Sequence, residues 1–169
     1  MPRYVPPQGG KVWDVGAAGL VVDGRRVLLV RHTYGVGRGR WSVPGGFARH
    51  DERLDEAALR EVFEETGVRA EIVSLIGLRT RYLPEGGAVF VFFRMHPLTQ
   101  MGNEPRPDGV EVDKARYFTA EEIVTLPEGA IFALSRAAAL AALEGEMGLV
   151  EHACPPQSGA DYRAFLVGG

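Results

Sequence analysis

The stretch GGFARHDERLDEAALREVFEETGV, residues 45–68, decides how the rest of this chain is read. Its second half carries Glu61, Glu64 and Glu65, spaced i, i+3 and i+4. On a helix these acids share one face, and like charges at that spacing oppose helix formation. Even so, Leu54, Ala57, Ala58, Val62 and Phe63 supply an apolar side that predicts a helix from about Arg53 to Thr66. Asp51 is the expected N-cap and Gly67 the expected stop. The Pro44-Gly45-Gly46 run just before it ends any regular element.

Enclosure decides what the acidic face costs. In water, two like charges about 6 Å apart repel by only ~0.7 kcal/mol; at an effective dielectric of about 20 the same pair repels by ~3 kcal/mol. A solvated face is therefore tolerable, whereas an enclosed one requires a cation. Hard carboxylate oxygens offered from one side suit Mg2+ or Mn2+ and leave positions for water and phosphate oxygens.

Upstream, VWDVGAAGLVV and RRVLLVRH read as two strands around a tight turn at Asp23-Gly24. TYGVGRGR is a loop. Downstream, VRAEIVSLIGLRTRYL is extended, PEGG is a turn and AVFVFFRMH is a buried strand. PLTQMGNEPRPDG is a long loop of the kind that often carries function. KARYF reads as a short strand, Thr119 as the cap of a short helix AEEIVTL, and AIFALSRAAALAALEGE as a striped helix. This order predicts a mixed α/β (α+β) sandwich over residues 12–145, between an irregular lead-in (1–11) and an irregular tail (146–169).

The 169 residues predict one domain, which buries about 70% of its unfolded surface without staples. The net charge of −3 without a basic block argues against generic nucleic-acid binding. The lone Cys154 cannot form an intrachain disulfide. With no apolar h-region and no run of about 18 apolar residues, the expectation is a soluble, cytoplasmic protein without membrane contact.

From Gly46 the order is five residues, Glu52, seven residues, Arg60-Glu61-Val62, one residue, Glu64-Glu65, one residue, Gly67-Val68. This resembles the signature of the Nudix hydrolase family, including its MutT-like members, and every fixed position matches. WSVPGG stands where the family commonly has an aromatic or leucine followed by Pro-Gly-Gly. The resemblance implies an α/β/α sandwich with a mixed central sheet and flanking helices. It implies hydrolysis of a pyrophosphate linkage in a nucleoside diphosphate joined to another moiety, with Mg2+ or Mn2+ as cofactor and water as nucleophile. A catalytically silent nucleotide sensor is the alternative on the same fold.

Site residues follow from the same resemblance. Glu61 and Glu65 are implied metal ligands, with Glu64 as a further ligand or water-positioning group and the Gly45 carbonyl as a donor. Arg60 is read as the counter-charge that holds the glutamates, partly through Glu64 at i+4. Glu52 is read as the partner of Arg60 and as a lesser catalytic candidate. A base from another loop is implied; among Asp108, Glu111 and Asp113, the spacing to Tyr117-Phe118 points to Glu111. Substrate phosphates are assigned to Arg79 and Arg81, which alternate on one strand face, and to Arg31 and Arg40. Tyr34, Trp41, Tyr82 and Phe90 are stacking candidates; His50 and His96 show no ligand spacing. The substrate is left open among an ADP-ribose-like nucleotide sugar, a dinucleoside polyphosphate and a modified triphosphate. Pro84, about sixteen positions past the signature, leans weakly toward the first. A homodimer through the last helix is open, with packing on the sheet preferred.

Overall fold

Strand β1 (Val12–Asp23) is the central axis of a computed structural model that describes residues 12–83, 86–98, 104–145, 149–152 and 161–167. Its run over residues 16–22 lacks polar alternation because both faces are covered. Ala17 and Val21 turn to one side, while Ala18, Leu20 and Val22 turn to the other. At Asp23 the chain reverses into β2 (Arg26–His32) with Gly24 at φ 59°, as the Asp-Gly pair predicts.

β6 (Gly86–Pro97) lies parallel to β1 and antiparallel to β5 (Ala70–Leu83). β4 (Gly45–Phe47) pairs with β1, while β2 carries β3 (Trp41–Ser42) and β7 (Val112–Thr119). The tail beyond residue 146, expected to be irregular, instead contains β8 (Leu149–His152) and β9 (Asp161–Val167). β9 pairs with residues 77–82 of β5, and β8 with β9. Without them β5 would present an open row of N–H and C=O groups, a requirement set by the neighbouring strand rather than by local composition.

Helix α1 (Leu54–Thr66) packs Ala57, Ala58 and Val62 onto Ala17, Val21 and Met95. Its N-cap is Arg53 rather than the expected Asp51. The Arg53 N–H donates to Glu56 Oε2 at 3.0 Å, and His50 and Asp51 lie in a turn that delivers Glu52 to Arg60. Gly67 ends the helix at φ 68°, its N–H donating to the Phe63 carbonyl at 2.8 Å, where a side chain would be strained.

On the opposite face lie α2 (Ala120–Thr125), capped by Thr119 Oγ1, and α3 (Ala133–Glu144). Leu134, Ala138, Ala139 and Ala142 of α3 pack over Trp41, Phe92 and Phe118, so its stripe is spent on the sheet. Fully buried residues such as Phe118 and Leu20 contribute about 1.5–3 kcal/mol each. Two helical layers on a mixed sheet make the expected α/β/α sandwich. Pro84, residues 99–103 of the long loop and Cys154 lie outside the described residues. Among the described residues no helix is long and apolar enough to cross a membrane.

Candidate active site

β4 is the strand that α1 approaches with its glutamates. Gly45 and Gly46 pair with Ala18 and Ala17 of β1, so their backbones are fixed before any side chain is considered. The Gly45 N–H donates to Glu65 Oε2 at 3.1 Å. A Cβ on Gly45 would stand 2.6 Å from the Ala17 carbonyl oxygen and 2.7 Å from Ala18 Cα, so this close approach requires glycine, while one on Gly46 would stand 2.4 Å from Glu61 Oε1 and displace that carboxylate. Beside them opens a cavity of about 640 Å³ that gathers Glu61, Glu64, Glu65 and Arg60 from α1, with Asp108 and Glu111 from the loop before β7.

Arg60 organises most of this charge. Its Nε and Nη2 fork Glu52 at 2.7 and 2.9 Å. Its Nη1 donates to Glu61 Oε1 at 2.7 Å and to Glu64 Oε2 at 2.9 Å, and Nη2 also reaches the Phe47 carbonyl at 3.2 Å. The pairings expected of Arg60 with Glu52 and Glu64 are thus present. Hydrogen bonds from Arg60, and one from the Arg49 N–H, hold the Glu52 carboxyl down at about 2 despite its burial. Glu52 does not line the cavity, so its place is that of an anchor for Arg60.

Glu65 is the exception. It is only 4% exposed, and its carboxylate receives the Gly45 N–H and no arginine among the described residues. Burial first, then the neighbouring charge of Glu61 and the fields of Glu111 and Asp108, push its carboxyl up to about 8. Glu61 is also raised, by burial, against the opposing pull of Arg60. Among the described residues no three His, Cys, Asp or Glu side chains converge on one point, since Arg60 holds Glu61 and Glu64 toward itself. The donor set nonetheless fits a hard divalent cation: all-oxygen, presented from one side, with one buried carboxylate lacking a counter-charge.

The structure separates the three acids before β7, which sequence could not rank by geometry. Asp113 forks Arg31, Nε to Oδ1 at 2.9 Å and Nη2 to Oδ2 at 2.5 Å, outside the cavity. Asp108 accepts the backbone N–H groups of Val110, Glu111 and Val112; these bonds outweigh its burial and lower its carboxyl. Thr33 Oγ1 donates to the Val110 carbonyl at 2.6 Å and ties the same turn to the end of β2. Glu111 is left lining the cavity, its carboxylate without a hydrogen-bond partner among the described residues.

The four arginines assigned to phosphate diverge. Arg31 is engaged by Asp113, and Arg40 lies 5.4 Å over the Phe132 ring; neither lines the acidic cavity. Arg79 and Arg81 line a second cavity of about 360 Å³, which shares Phe47 with the acidic one. Of the stacking candidates, Trp41 is buried edge-on to Phe118 at 4.7 Å, whereas Tyr34 is exposed at the acidic cavity and Phe90 lines the second. Two lining residues were missed. Arg49 donates to Glu64 Oε1 at 3.2 Å, and Phe47 stands edge-on to Phe90 at 5.3 Å. Both lie within the signature at positions where it specifies nothing, so no sequence signal marked them. His32 sits at the rim, sharing a 2.7 Å hydrogen bond with Ser42 Oγ, its pKa lowered by burial.

A buried acidic helix face against a double-glycine strand inside an α/β/α sandwich defines a Nudix-type domain. The family model described as NUDIX domain matches residues 12–140, and the chain belongs to that family. A NUDIX hydrolase from Nitrosomonas europaea superposes with a TM-score of 0.65 at 27% identity, covering 84% of this chain and 73% of that one. The ADP-ribose pyrophosphatase of Methanocaldococcus jannaschii is 33% identical over 114 residues, 66% of this chain and 65% of its own length. Nucleoside diphosphate-linked moiety X motif 6 of Mus musculus is 40% identical over 75 residues, 43% of this chain and 24% of its own. The matched part thus spans less than two thirds of either curated relative.

Proposed function

We propose that this domain hydrolyses the diphosphate linkage of a nucleoside diphosphate joined to a second moiety, with ADP-ribose as the reference substrate. The observation that carries it is Glu65, a buried carboxylate raised to about 8 beside a second acid and without a cation of its own. Glu61 and Glu65, with Glu64 and the Gly45 carbonyl, would hold Mg2+ or Mn2+. When bound, such an ion neutralises diphosphate oxygens and lowers the pKa of water. Glu111, facing the same cavity without a hydrogen-bond partner among the described residues, is positioned to take a proton from the attacking water. Arg60 positions the glutamates through its bonds to Glu52, Glu61 and Glu64. Support for the substrate class comes from the relative named ADP-ribose pyrophosphatase.

The test is a panel of diphosphate compounds incubated with the purified protein and Mg2+, read as release of nucleoside monophosphate. ADP-ribose is expected to be cleaved, and Glu65→Gln to lose that activity. Tight nucleotide binding without turnover of any compound would establish the silent sensor instead.

A further inference from the structure

Arg49 lines the acidic cavity from the connection between β4 and α1. Its backbone is pinned at both ends. The N–H donates to Glu52 Oε2 at 3.1 Å, and the carbonyl accepts from the Glu52 N–H at 3.2 Å. Glu52 is in turn forked by Arg60. The side chain beyond this pivot is loosely held. It is 62% exposed and makes one hydrogen bond among the described residues, from Nη2 to Glu64 Oε1 at 3.2 Å. A guanidinium carries five N–H donors, so most of those on Arg49 are left to offer.

The other basic groups of the cavity are spent. Arg60 divides its three nitrogens among Glu52, Glu61, Glu64 and the Phe47 carbonyl. His32 shares its Nε2 with Ser42 Oγ. Facing them are the carboxyl groups of Glu61, Glu64, Glu65, Asp108 and Glu111. A diphosphate entering this cavity adds further negative charge, and among the described lining residues Arg49 is the cation with donors to meet it. Arg49 gives up little by turning to it. Its pair with Glu64 is exposed on both sides, where an ion pair contributes little, and Glu64 keeps Arg60 Nη1 at 2.9 Å.

Building on the hydrolase assignment above, we propose that Arg49 is a substrate-binding residue whose guanidinium leaves Glu64 and donates to non-bridging oxygens of the diphosphate. Forked, charge-assisted bonds to phosphate oxygens are stronger than a single-nitrogen contact with an exposed carboxylate, so the exchange favours the bound state. Lysine at this position offers the charge without the fork, and glutamine offers neither.

The probe is the α,β-methylene analogue of ADP-ribose, whose CH2 bridge resists hydrolysis, titrated calorimetrically at saturating Mg2+. Arg49→Gln is expected to bind it about tenfold more weakly than the wild type, with Arg49→Lys in between. Mg2+ titrated alone separates a substrate contact from a positioning role through Glu64: Arg49→Gln is expected to bind the ion no more weakly than the wild type. Equal analogue affinity in the wild type and Arg49→Gln overturns the inference, as does no detectable binding by the wild type. A loss of Mg2+ affinity in Arg49→Gln also overturns it, by placing the effect in Glu64. Thermal unfolding checks that both variants fold, and Arg49→Lys decides the same comparison should Arg49→Gln fail to. Turnover of ADP-ribose with Mg2+ is measured in parallel. Turnover with equal analogue affinities sinks only this inference, and an Arg49-dependent affinity without turnover sinks only the hydrolase assignment.

Discussion

Glu52 and Glu65 are the same side chain in one signature, 12% and 4% exposed, and their carboxyls move in opposite directions. Glu52 is forked by Arg60 and held at about 2; Glu65 has no arginine among the described residues and is pushed up to about 8. Burial raises both. What differs is the depth of burial, much greater at Glu65, and whether the fold carries the counter-charge within itself. Where it does, the carboxylate is an anchor and stays ionised. Where it does not, ionisation costs stability unless a cation arrives from solution, and that dependence makes a binding site out of an otherwise unfavourable residue.

The contrast can be broken most directly at Glu65. Glu65→Gln is expected to lower kcat on ADP-ribose by a factor on the order of 10³, since a metal's charge stabilisation is worth several kcal/mol. A steady-state rate within a few-fold of wild type would remove Glu65 from the metal site. Next in size is Arg60→Ala, which leaves Glu52 and Glu61 nearly buried without a counter-charge. Urea unfolding is expected to register a loss of about 3 kcal/mol, the lower end for a broken buried pair because Glu64 is half-exposed. Arg60→Lys should recover part of it, since an ammonium cannot fork Glu52. A neutral Arg60→Ala would mean that Glu52 is not held by that arginine.

A similar magnitude attaches to the ion itself. Mg2+ at about 100 times its dissociation constant is expected to add ~2.7 kcal/mol to the wild type in thermal unfolding. Glu65→Gln should gain far less from Mg2+, while melting higher than wild type when divalent ions are chelated. A variant as Mg2+-stabilised as the wild type would refute the pairing of this acid with the ion. The smallest effect is in pH. Glu65 rises from its ordinary 4.5 to about 8 on folding, so between those values the folded chain binds more protons than the unfolded one. Stability without divalent ions should therefore be full below about 4.5 and decline as pH rises toward about 8, and Glu65→Gln should flatten that decline. The Glu52 contribution runs the other way: present above 4.5, it is lost as pH falls through about 2. Chemical unfolding across this range measures both.

Much of this was legible in the chain itself. The 3.6-residue periodicity around Leu54, Ala57 and Val62, the stop at Gly67 and the Asp23-Gly24 turn are local signals, and each element formed where they stand. Glu52 stands ahead of the helix and is brought to Arg60 by the turn before it, whereas the Arg60 pairing with Glu64 follows from helical spacing. The N-cap did not, because the turn ahead of α1 is set by Glu52 reaching Arg60 and the Arg49 N–H. β8 and β9 did not, because strand pairing at an edge depends on which strand lies there. Among Asp108, Glu111 and Asp113 the spacing to Tyr117-Phe118 pointed to Glu111; that the other two are engaged, Asp113 by Arg31 and Asp108 by backbone N–H groups, was visible only in the fold.

By itself the sequence determined that three glutamates and an arginine share one helical face beside a pair of glycines, since those relations depend only on periodicity and on the missing Cβ. Tertiary structure alone decided which of those glutamates is buried without an arginine among the described residues, and that Arg79 and Arg81 line a neighbouring cavity rather than the acidic one. Burial and through-space fields depend on what the rest of the chain places opposite each group, and no local spacing encodes that.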